Sequence, residues 1–212
     1  QSAEIGEFFK EEGIQKITVS YVDMALYFAG CGWKDITIAF PVNIRQMPDI
    51  NCLASQIHLG VVVENLDALE FLADHLDYPV NLWIKVDPGY NRTGISWENF
   101  GQILSVARRA ENMDKILLKG ILAHAGHTYH ARDAEEICRI HTESMERLLQ
   151  VRKELNQNGF PDLGLSTGDT PSCSVCDNLS DSTEIRPGNF VFYDVQQLLI
   201  GSCQADQISA AL

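Results

Sequence analysis

Apolar, β-branched runs alternate with segments of helical period along the whole chain. In "SAEIGEFFKEEG", Ser2 can cap a helix, apolar side chains follow at positions 5, 8 and 9, and Gly13 can end it. Such segments predict helices at Ser2–Glu12, Val22–Cys31, Ile44–Gln56, Leu66–His75, Trp97–Glu111 and Asp133–Asn158. The apolar runs predict strands at Lys16–Tyr21, Asp35–Phe40, Leu59–Glu64, Val80–Asp87, Leu117–His124, Asp162–Thr167 and roughly Glu184–Tyr193. Strands that alternate with helices form a parallel sheet with helical crossovers.

The length, composition and number of the strands indicate whether the sheet closes into a barrel. Short strands that are apolar on both faces favour a closed barrel wrapped by helices, which predicts an α/β fold of the (β/α)8 TIM type. Such a barrel needs eight strands, whereas the pattern shows seven and opens directly on a helix. We therefore expect a barrel that lacks its first strand, in a chain that is an internal portion of a longer protein.

The last residues predict the beginning of another unit. "DQISAAL" resembles the start of a new strand that is cut off at Leu212. We assign residues 1–203 to the barrel, incomplete at its N-terminus. Residues 204–212 are assigned to the start of a truncated C-terminal β-domain.

Composition narrows the classes of function. The 212 residues include 29 acidic and 16 basic side chains, a formal net charge of −13, which argues against nucleic acid or an anionic membrane as partner. No run approaches the ~18 consecutive apolar residues that a membrane span needs. Six cysteines spread over this length are not a disulfide framework, which predicts a reducing, cytoplasmic location.

Candidate chemistry is expected where the strands end, because barrels carry their functional residues there. The fourth strand ends in "IKVDPGYNRTGI", in which Asp87, Pro88 and Gly89 predict a tight turn. Lys85 precedes that turn on the strand, and Arg92 follows it. We expect the turn to fold the chain back so that Arg92 points into the barrel mouth, with Lys85 behind it.

The later strand ends bring a histidine, an arginine and two glycine-containing loops. The fifth strand runs into "LAHAGHTYHA" with His124, the sixth into "STGDTPSC", and the last into "EIRPGNFVFYD" with Arg186. Such loops on adjacent strands can aim several backbone N–H groups at one anion, and barrels commonly bind phosphate after their last strands. A phosphate site beside an arginine and a histidine predicts an aromatic, phosphorylated cofactor.

Each of these segments also has a plainer interpretation. His124, His127 and His130, spaced by three, could hold a metal ion, but no acidic partner is evident and we predict no metal site. "CSVC" has the spacing of a redox or zinc motif without a second copy. "STGDTPS" could be a helix cap built from Asp169 and Thr170, and "RPGN" a simple turn. Their joint occurrence on neighbouring strands favours the cofactor site.

The four motifs together resemble one family. "KVDPGYNRTG" resembles the lysine–x–aspartate–x–glycine–x–x–arginine–x–glycine segment of the alanine-racemase-like, fold type III pyridoxal-phosphate enzymes, and "RPGNFVFYD" resembles their phosphate loop. "STGDTPS" and "AGHTY" resemble segments typical of the D-threonine aldolase and D-serine dehydratase branch. The similarity covers nearly the whole chain, in order and on successive strand ends. It implies the barrel of the alanine racemase N-terminal domain as the fold and pyridoxal 5'-phosphate as the cofactor.

The resemblance implies roles for individual residues. His124 would lie against the face of the pyridine ring, and Arg186 would approach the pyridine nitrogen. Arg92 would reach the cofactor's phenolic oxygen or the substrate carboxylate, supported by Lys85, whose counterpart is carbamylated in some alanine racemases. The residues implied to cradle the phosphate are Thr167, Gly168, Thr170, Gly188 and Asn189.

Two parts of the family's active site are not found in the sequence. The family binds its cofactor through a Schiff base to a lysine at the end of the first strand, just upstream of the helix that here begins near Ser2. The aldolase and dehydratase branch carries its metal ligands in a C-terminal β-domain, so a divalent metal is implied only through that domain. We therefore expect the 212 residues to be catalytically incompetent alone.

The resemblance implies an enzyme that acts on small D-amino acids and is a homodimer when full-length. In this branch the outcomes are retro-aldol cleavage of a D-β-hydroxy amino acid or its dehydration to a keto acid and ammonia. An amino-acid racemase of the same fold stays open, since its second base would come from another domain. Two further alternatives also stay open. One is a non-enzymatic pyridoxal-phosphate-binding protein, and the other, suggested by the histidine cluster alone, is a metal-dependent barrel hydrolase.

Overall fold

The computed structural model describes residues 2–209, in which strands and helices alternate as the hydrophobic pattern predicts. The strands there are β1 (Ile17–Val19), β2 (Asp35–Pro41), β3 (His58–Val63), β4 (Val80–Asp87), β5 (Ile95–Ser96), β6 (Ile116–Leu122), β7 (Gly164–Thr167) and β8 (Glu184–Ile185). The α-helices are α1 (Ala3–Glu11), α2 (Val22–Gly30), α3 (Met47–Ala54), α4 (Leu66–His75), α5 (Phe100–Glu111), α6 (Ala134–Gln157), α7 (Thr170–Val175) and α8 (Val195–Leu199). Short 3-10 helices lie at Ile44–Gln46, Gly126–His130, Asn189–Val191 and Ala205–Gln207.

The strands form one sheet in the order β1-β2-β3-β4-β6-β7-β8, and the two-residue β5 pairs with β4. All seven predicted strands are therefore present. Neighbours in this order follow one another along the chain with a helix between them, which is the connection that parallel pairing requires. The parallel register of the last pair places Ser166 opposite Glu184 and Thr167 opposite Ile185.

The last predicted strand is much shorter than expected. The prediction of a strand from Glu184 to Tyr193 is wrong beyond Ile185, where β8 ends. Pro187 has no N–H to donate to a neighbouring strand, and a 3-10 helix begins at Asn189. The segment predicted to bind phosphate is therefore an irregular loop.

Two helix boundaries also differ from the prediction. The helix expected from Trp97 begins at Phe100, because the Trp97 N–H donates to Asp87 O at 3.1 Å and is held beside β4. The helix expected at Ile44–Gln56 starts as a 3-10 helix, and α3 follows from Met47. The short helices α7 and α8 were not among the predicted helices.

The chain divides into two compact units, of which the first comprises residues 2–85 and 102–119. Its core is formed by the apolar side chains of the strands and the inner stripes of the helices. Ile36, Leu59 and Leu82, one on each of three successive strands, are almost completely buried. Lys85, which is 3% exposed, lies on β4 at the end of this unit.

The second unit comprises residues 86–101 and 120–209. Its longest element is α6, of 24 residues, which buries one stripe that includes Ile137, Leu148 and Leu155. Ile137 also packs with Ala131 and Ile200 in a small apolar cluster. The carboxyl ends of β4, β6, β7 and β8 all fall in this unit, so most of the predicted site residues belong to it.

No helix within residues 2–209 is long and apolar enough to cross a membrane. The predicted boundary between residues 203 and 204 is followed by the 3-10 helix Ala205–Gln207 and stays a prediction. The last three residues of the predicted strand start, 210–212, lie outside the described residues.

Candidate functional site

The turn after β4 is built around the Asp87 carboxylate. Its Oδ1 accepts hydrogen bonds from the backbone N–H groups of Gly89 and Tyr90 at 2.9 and 2.8 Å. Its Oδ2 accepts one from the Asn91 N–H at 2.8 Å. Positive φ angles at Gly89 (123°) and Asn91 (59°) bend the loop. The predicted turn is present, and one buried carboxylate holds three successive backbone donors in it.

The ring of Tyr90 joins this turn to the loop after β6. It lies edge-on to His124, with centroids 6.0 Å apart, and stacks on His127, with centroids 5.8 Å apart. The guanidinium carbon of Arg92 lies 5.2 Å from the Tyr90 centroid, and the arginine is exposed. Gly126 leaves room for the tyrosine, since a Cβ there would lie 2.4 Å from Tyr90 Cε1. Tyr90, which the motifs did not single out, thus brings Arg92 and His124 into one cluster.

His124 connects this cluster to the loop after β7. Its Nδ1 lies 3.4 Å from Gly168 O, and its ring centroid lies 6.2 Å from that of Tyr129. Two predicted site residues, His124 and Gly168, are therefore neighbours. The predicted support of Arg92 by Lys85 stays a prediction.

His127 is a partly buried histidine in the same loop. Burial lowers the pKa of its imidazole, although the Asp169 and Asp87 carboxylates act in the opposite direction. Its Nδ1 is buried and has no hydrogen-bond partner within the described part of the chain. The ring is therefore neutral near pH 7, because an ordinary histidine pKa is already about 6.5.

We expect His127→Phe to flatten the loss of folding stability on acidification below about pH 6.5. Because the folded-state pKa of His127 is depressed, the unfolded state takes up a proton first as the pH falls, and stability decreases. Phenylalanine keeps a flat ring against Tyr90 but removes this proton uptake. Urea unfolding of both proteins across that pH range measures the two slopes. Parallel slopes would show that other groups set the acid dependence.

The loop after β7 begins a helix, as the plainer interpretation of "STGDTPS" predicts. Asp169 is the N-cap of α7, and its Oδ1 accepts a hydrogen bond from the Ser172 N–H at 2.9 Å. The same oxygen accepts one from the Thr128 hydroxyl at 2.7 Å, and both side chains are buried. Asp169 therefore ties α7 to the 3-10 helix that carries His127.

Four of the five predicted phosphate-binding residues come together beside α7. The hydroxyl oxygen of Thr170 accepts hydrogen bonds from the N–H groups of Gly188 and Asn189 at 3.2 and 2.9 Å. Gly168 has a φ of 123° and packs so closely on Arg186 that a Cβ would lie 2.5 Å from Arg186 N. The predicted glycine-containing loops therefore do lie side by side.

Thr167, the fifth predicted residue, and Tyr129, which is not in the predicted set, differ in their contacts to this group. The Thr167 hydroxyl shares a hydrogen bond with the Ser182 hydroxyl at 2.6 Å, so it has a partner outside this group. The Tyr129 hydroxyl, by contrast, accepts a hydrogen bond from the Thr170 N–H at 3.2 Å. Burial raises the pKa of Tyr129, so its O–H stays a neutral donor. Tyr129 belongs to "AGHTY", but its spacing in the sequence does not reveal this contact.

Arg186 is held by several hydrogen bonds just beyond the end of β8. Its Nε donates to Ser166 Oγ at 2.7 Å, and its Nη2 donates to Ser166 O at 3.2 Å and to Ala123 O. Burial lowers the pKa of Arg186 to about 10, and the Glu184 carboxylate opposes this effect. The guanidinium is therefore a cation at neutral pH.

These donors suit a phosphate group. The N–H groups of Gly188 and Asn189, which here donate to the Thr170 hydroxyl oxygen, and the hydroxyls of Thr170 and Tyr129 are uncharged donors at one place. Anion sites are commonly built from such donors, and the two N–H groups would exchange the threonine oxygen for one of the phosphate. The backbone of Arg186 packs against Gly168, and its cationic guanidinium is held by Ser166 and Ala123 O. The residues present therefore fit the phosphorylated cofactor that the motifs predict.

The spacings of the predicted histidine cluster and of the "CSVC" cysteines suggest metal binding or redox chemistry. His130 is exposed, and no group of three metal-binding side chains within residues 2–209 is placed to hold a metal ion. Burial raises the pKa of Cys173 to about 11 and also raises that of Cys176. Both thiols of "CSVC" are therefore protonated at neutral pH, and a thiol is a poor nucleophile.

Both the sequence and the structure of the chain are similar to those of known proteins. Residues 1–195 match the family described as alanine racemase, N-terminal domain. The chain is 27% identical to a D-serine dehydratase of Dictyostelium discoideum, over 98% of the chain and 57% of the relative. It is 26% identical to a D-threo-3-hydroxyaspartate dehydratase of Delftia sp. strain HT23, over 94% of the chain and 53% of the relative.

A solved structure shows the same fold at lower identity. The D-threonine aldolase of Filomicrobium marinum superposes with a TM-score of 0.87 at 17% identity, covering 98% of this chain and 56% of the aldolase. The predicted fold type is confirmed, while the absence of a first strand stays a prediction. The chain spans about half the length of the curated relatives that it matches. It belongs to the alanine racemase N-terminal domain family, whose dehydratase and aldolase members are fold type III pyridoxal-phosphate enzymes.

Proposed function

We propose that the full-length protein is a pyridoxal-phosphate-dependent lyase that cleaves a C–C or C–O bond of a D-β-hydroxy amino acid. The observation that carries this proposal is the grouping of Thr170, Gly188 and Asn189 next to Arg186. The relatives support the reaction class, since they are named as dehydratases and an aldolase of D-amino acids.

Residues of the second unit would hold the cofactor. Thr170, Tyr129 and the N–H groups of Gly188 and Asn189 would bind the phosphate, with Gly168 allowing the close approach of the two loops. When bound, pyridoxal 5'-phosphate supplies an electron sink for the charge that remains on the substrate when a bond to its α-carbon breaks. The lysine that carries the cofactor and a metal-binding domain would belong to the remainder of the full-length protein.

Arg186 and His124 would set the surroundings of the pyridine ring. A guanidinium near the ring nitrogen keeps that nitrogen unprotonated, because two positive charges would otherwise meet. The flat imidazole of His124, held between Tyr90 and Gly168 O, would cover one face of the ring. These residues position and tune the cofactor, while bond cleavage also depends on bases and metal around the substrate.

We further propose that Arg92, whose guanidinium lies over the Tyr90 ring, binds the substrate carboxylate or the phenolic oxygen of the cofactor. Arg92→Ala in the full-length enzyme should lower kcat about tenfold and weaken cofactor binding less, since the phosphate contacts supply most of the affinity. Arg92→Lys should not restore the rate, because a point charge does not replace a planar fork of donors.

Steady-state kinetics and cofactor titration of both Arg92 variants measure these effects. Arg132→Ala, which removes another exposed arginine, paired with Glu136, is the matched control and should leave kcat unchanged. An Arg92→Ala enzyme as fast as the wild type would reduce Arg92 to a turn residue.

The reaction itself is tested on purified full-length protein supplied with pyridoxal 5'-phosphate, with and without a chelator. We expect a keto acid and ammonia, or glycine and an aldehyde, from D-serine, D-threonine or D-threo-3-hydroxyaspartate, and nothing from the L-enantiomers. Formation of the L-enantiomer from the D-amino acid without cleavage would identify a racemase instead. Cofactor binding without any turnover would identify a binding protein, and no cofactor binding would refute the proposal.

The proposal retains three features predicted from the sequence. The full-length protein would be a homodimer, it would act in the cytoplasm, and a divalent metal would bind outside residues 1–203. All six cysteines are free thiols, which suits a reducing compartment.

A further inference from the structure

The surroundings of Arg186 point to a function for two residues, Ser166 and Glu184, which lie in the quoted motifs but have no role assigned by them. In the register of β7 and β8, Ser166 lies opposite Glu184. Arg186 follows just beyond the end of this strand, and hydrogen bonds join the Ser166 hydroxyl to both Glu184 and Arg186. The Ser166 hydroxyl therefore lies between the carboxylate of Glu184 and the guanidinium of Arg186.

The direction of the hydrogen bonds follows from the chemistry of the groups. A carboxylate can only accept, so the single proton of the Ser166 hydroxyl goes to Glu184 Oε1. The oxygen of that hydroxyl then accepts from Arg186 Nε at 2.7 Å. Guanidinium, hydroxyl and carboxylate thus form one chain of donors and acceptors with a fixed direction.

The same hydrogen bonds determine which nitrogen of the guanidinium can bind a ligand. Both protons of Nη2 are used, by Ser166 O at 3.2 Å and by Ala123 O. With Nε bound to Ser166, three of the five N–H bonds have protein acceptors. Among the described residues, Nη1 has no protein acceptor, so its two N–H groups remain for a ligand.

We propose that Ser166 and Glu184 are positioning residues that fix the plane and charge of Arg186 and leave its Nη1 edge for the bound cofactor. The inference rests on the proposed function and deepens it, because it says how the protein orients the arginine beside the pyridine ring. Glu184 contributes a negative charge that favours the cationic form of this buried guanidinium. Ser166 transmits the contact and sets the angle.

The test compares Ser166→Ala and Glu184→Gln with the wild type in the full-length protein. Titration of the apoprotein with pyridoxal 5'-phosphate should show affinity about tenfold weaker for Ser166→Ala and several-fold weaker for Glu184→Gln. The absorbance of the bound cofactor should titrate at a different pH in both variants, because the charge beside the ring nitrogen is altered. Glu184→Gln keeps the size and one oxygen acceptor of the residue, so it tests the inference even if Ser166→Ala folds poorly.

Two controls separate positioning from general damage. Ser144→Ala removes another buried serine, whose hydroxyl has no partner within residues 2–209, and should change neither affinity nor spectrum. In an Arg186→Ala background, Ser166→Ala should add almost no further loss of affinity, since there is no guanidinium left to orient.

The apoprotein offers a readout that does not depend on the cofactor. The Nε–H proton of Arg186 should exchange slowly in nitrogen-15 NMR spectra of the wild type and rapidly in Ser166→Ala. Wild-type protein that binds the cofactor alongside variants with unchanged affinity and spectrum would overturn the positioning inference and leave the proposed function standing. Wild-type protein that binds no cofactor would overturn the proposed function, and with it the inference.

Discussion

Gly168→Ala should abolish measurable binding of pyridoxal 5'-phosphate and lower the free energy of unfolding by about 3 kcal/mol or more. The φ angle of 123° at Gly168 lies where side-chain-bearing residues are strained. In addition, the new Cβ would lie 2.5 Å from the backbone N of Arg186, which cannot rotate away as a side chain can. The two loops that carry Thr170 and Gly188 would have to separate.

Gly159→Ala provides the matched control for this prediction. Gly159 also has a positive φ, 101°, but a Cβ there would meet no atom within 4 Å. Its cost should be that of backbone strain alone, about 1 kcal/mol, with normal cofactor binding. Chemical denaturation and cofactor titration of both variants give the comparison. If Gly168→Ala were as mild as Gly159→Ala, the close packing of the loops would not matter for the site.

The regular elements were predictable because their causes are local. The sequence predicts the Val80–Asp87 strand with its observed bounds, since an apolar run ends there in a turn sequence. The error in the last strand has a local cause too. Pro187 and Gly188 interrupt an apolar stretch that otherwise has strand composition, and Asn189 begins a 3-10 helix.

The side chains that complete the candidate site were less predictable, because their contacts join distant parts of the chain. Tyr129 meets the Thr170 N–H across 41 positions, and Ser166 meets Arg186 across 20. No periodicity or spacing encodes such pairs. The motifs identify the loops that come together, but they do not indicate that the hydroxyl of Ser166 contacts Arg186.

The contacts made by the Asp87 side chain are also not predictable from the sequence. From the sequence, Asp87 is predicted only as one residue of a turn formed with Pro88 and Gly89. The structure shows its carboxylate accepting from three successive backbone N–H groups, while the Pro88 carbonyl accepts from Arg147 Nη1 at 2.7 Å. The turn is therefore fixed by a side chain and by a distant helix as well as by backbone preference.

Asp87→Ala should therefore lower the free energy of unfolding by about 3 kcal/mol, because three N–H groups in a partly buried turn lose a charged acceptor at once. Asp87→Asn should cost less, since one side-chain oxygen can still accept from Gly89 and Tyr90 while the amide group faces the Asn91 N–H. Asp133→Ala removes a carboxylate that caps α6 through one N–H, and should cost about 1 kcal/mol.

Asp87→Ala should also slow the reaction, by an effect of similar size to its effect on folding. The turn holds Tyr90 against His124 and His127 and carries Arg92, so a loosened turn releases that cluster. In the full-length enzyme, at a temperature where the variant is still folded, we expect kcat to fall about a hundredfold, which corresponds to roughly 2.7 kcal/mol. Asp133→Ala should retain wild-type kcat. Denaturation curves rank the three variants by stability, and steady-state kinetics rank them by kcat. An Asp87→Ala enzyme with wild-type kcat would show that the turn does not position the reacting groups.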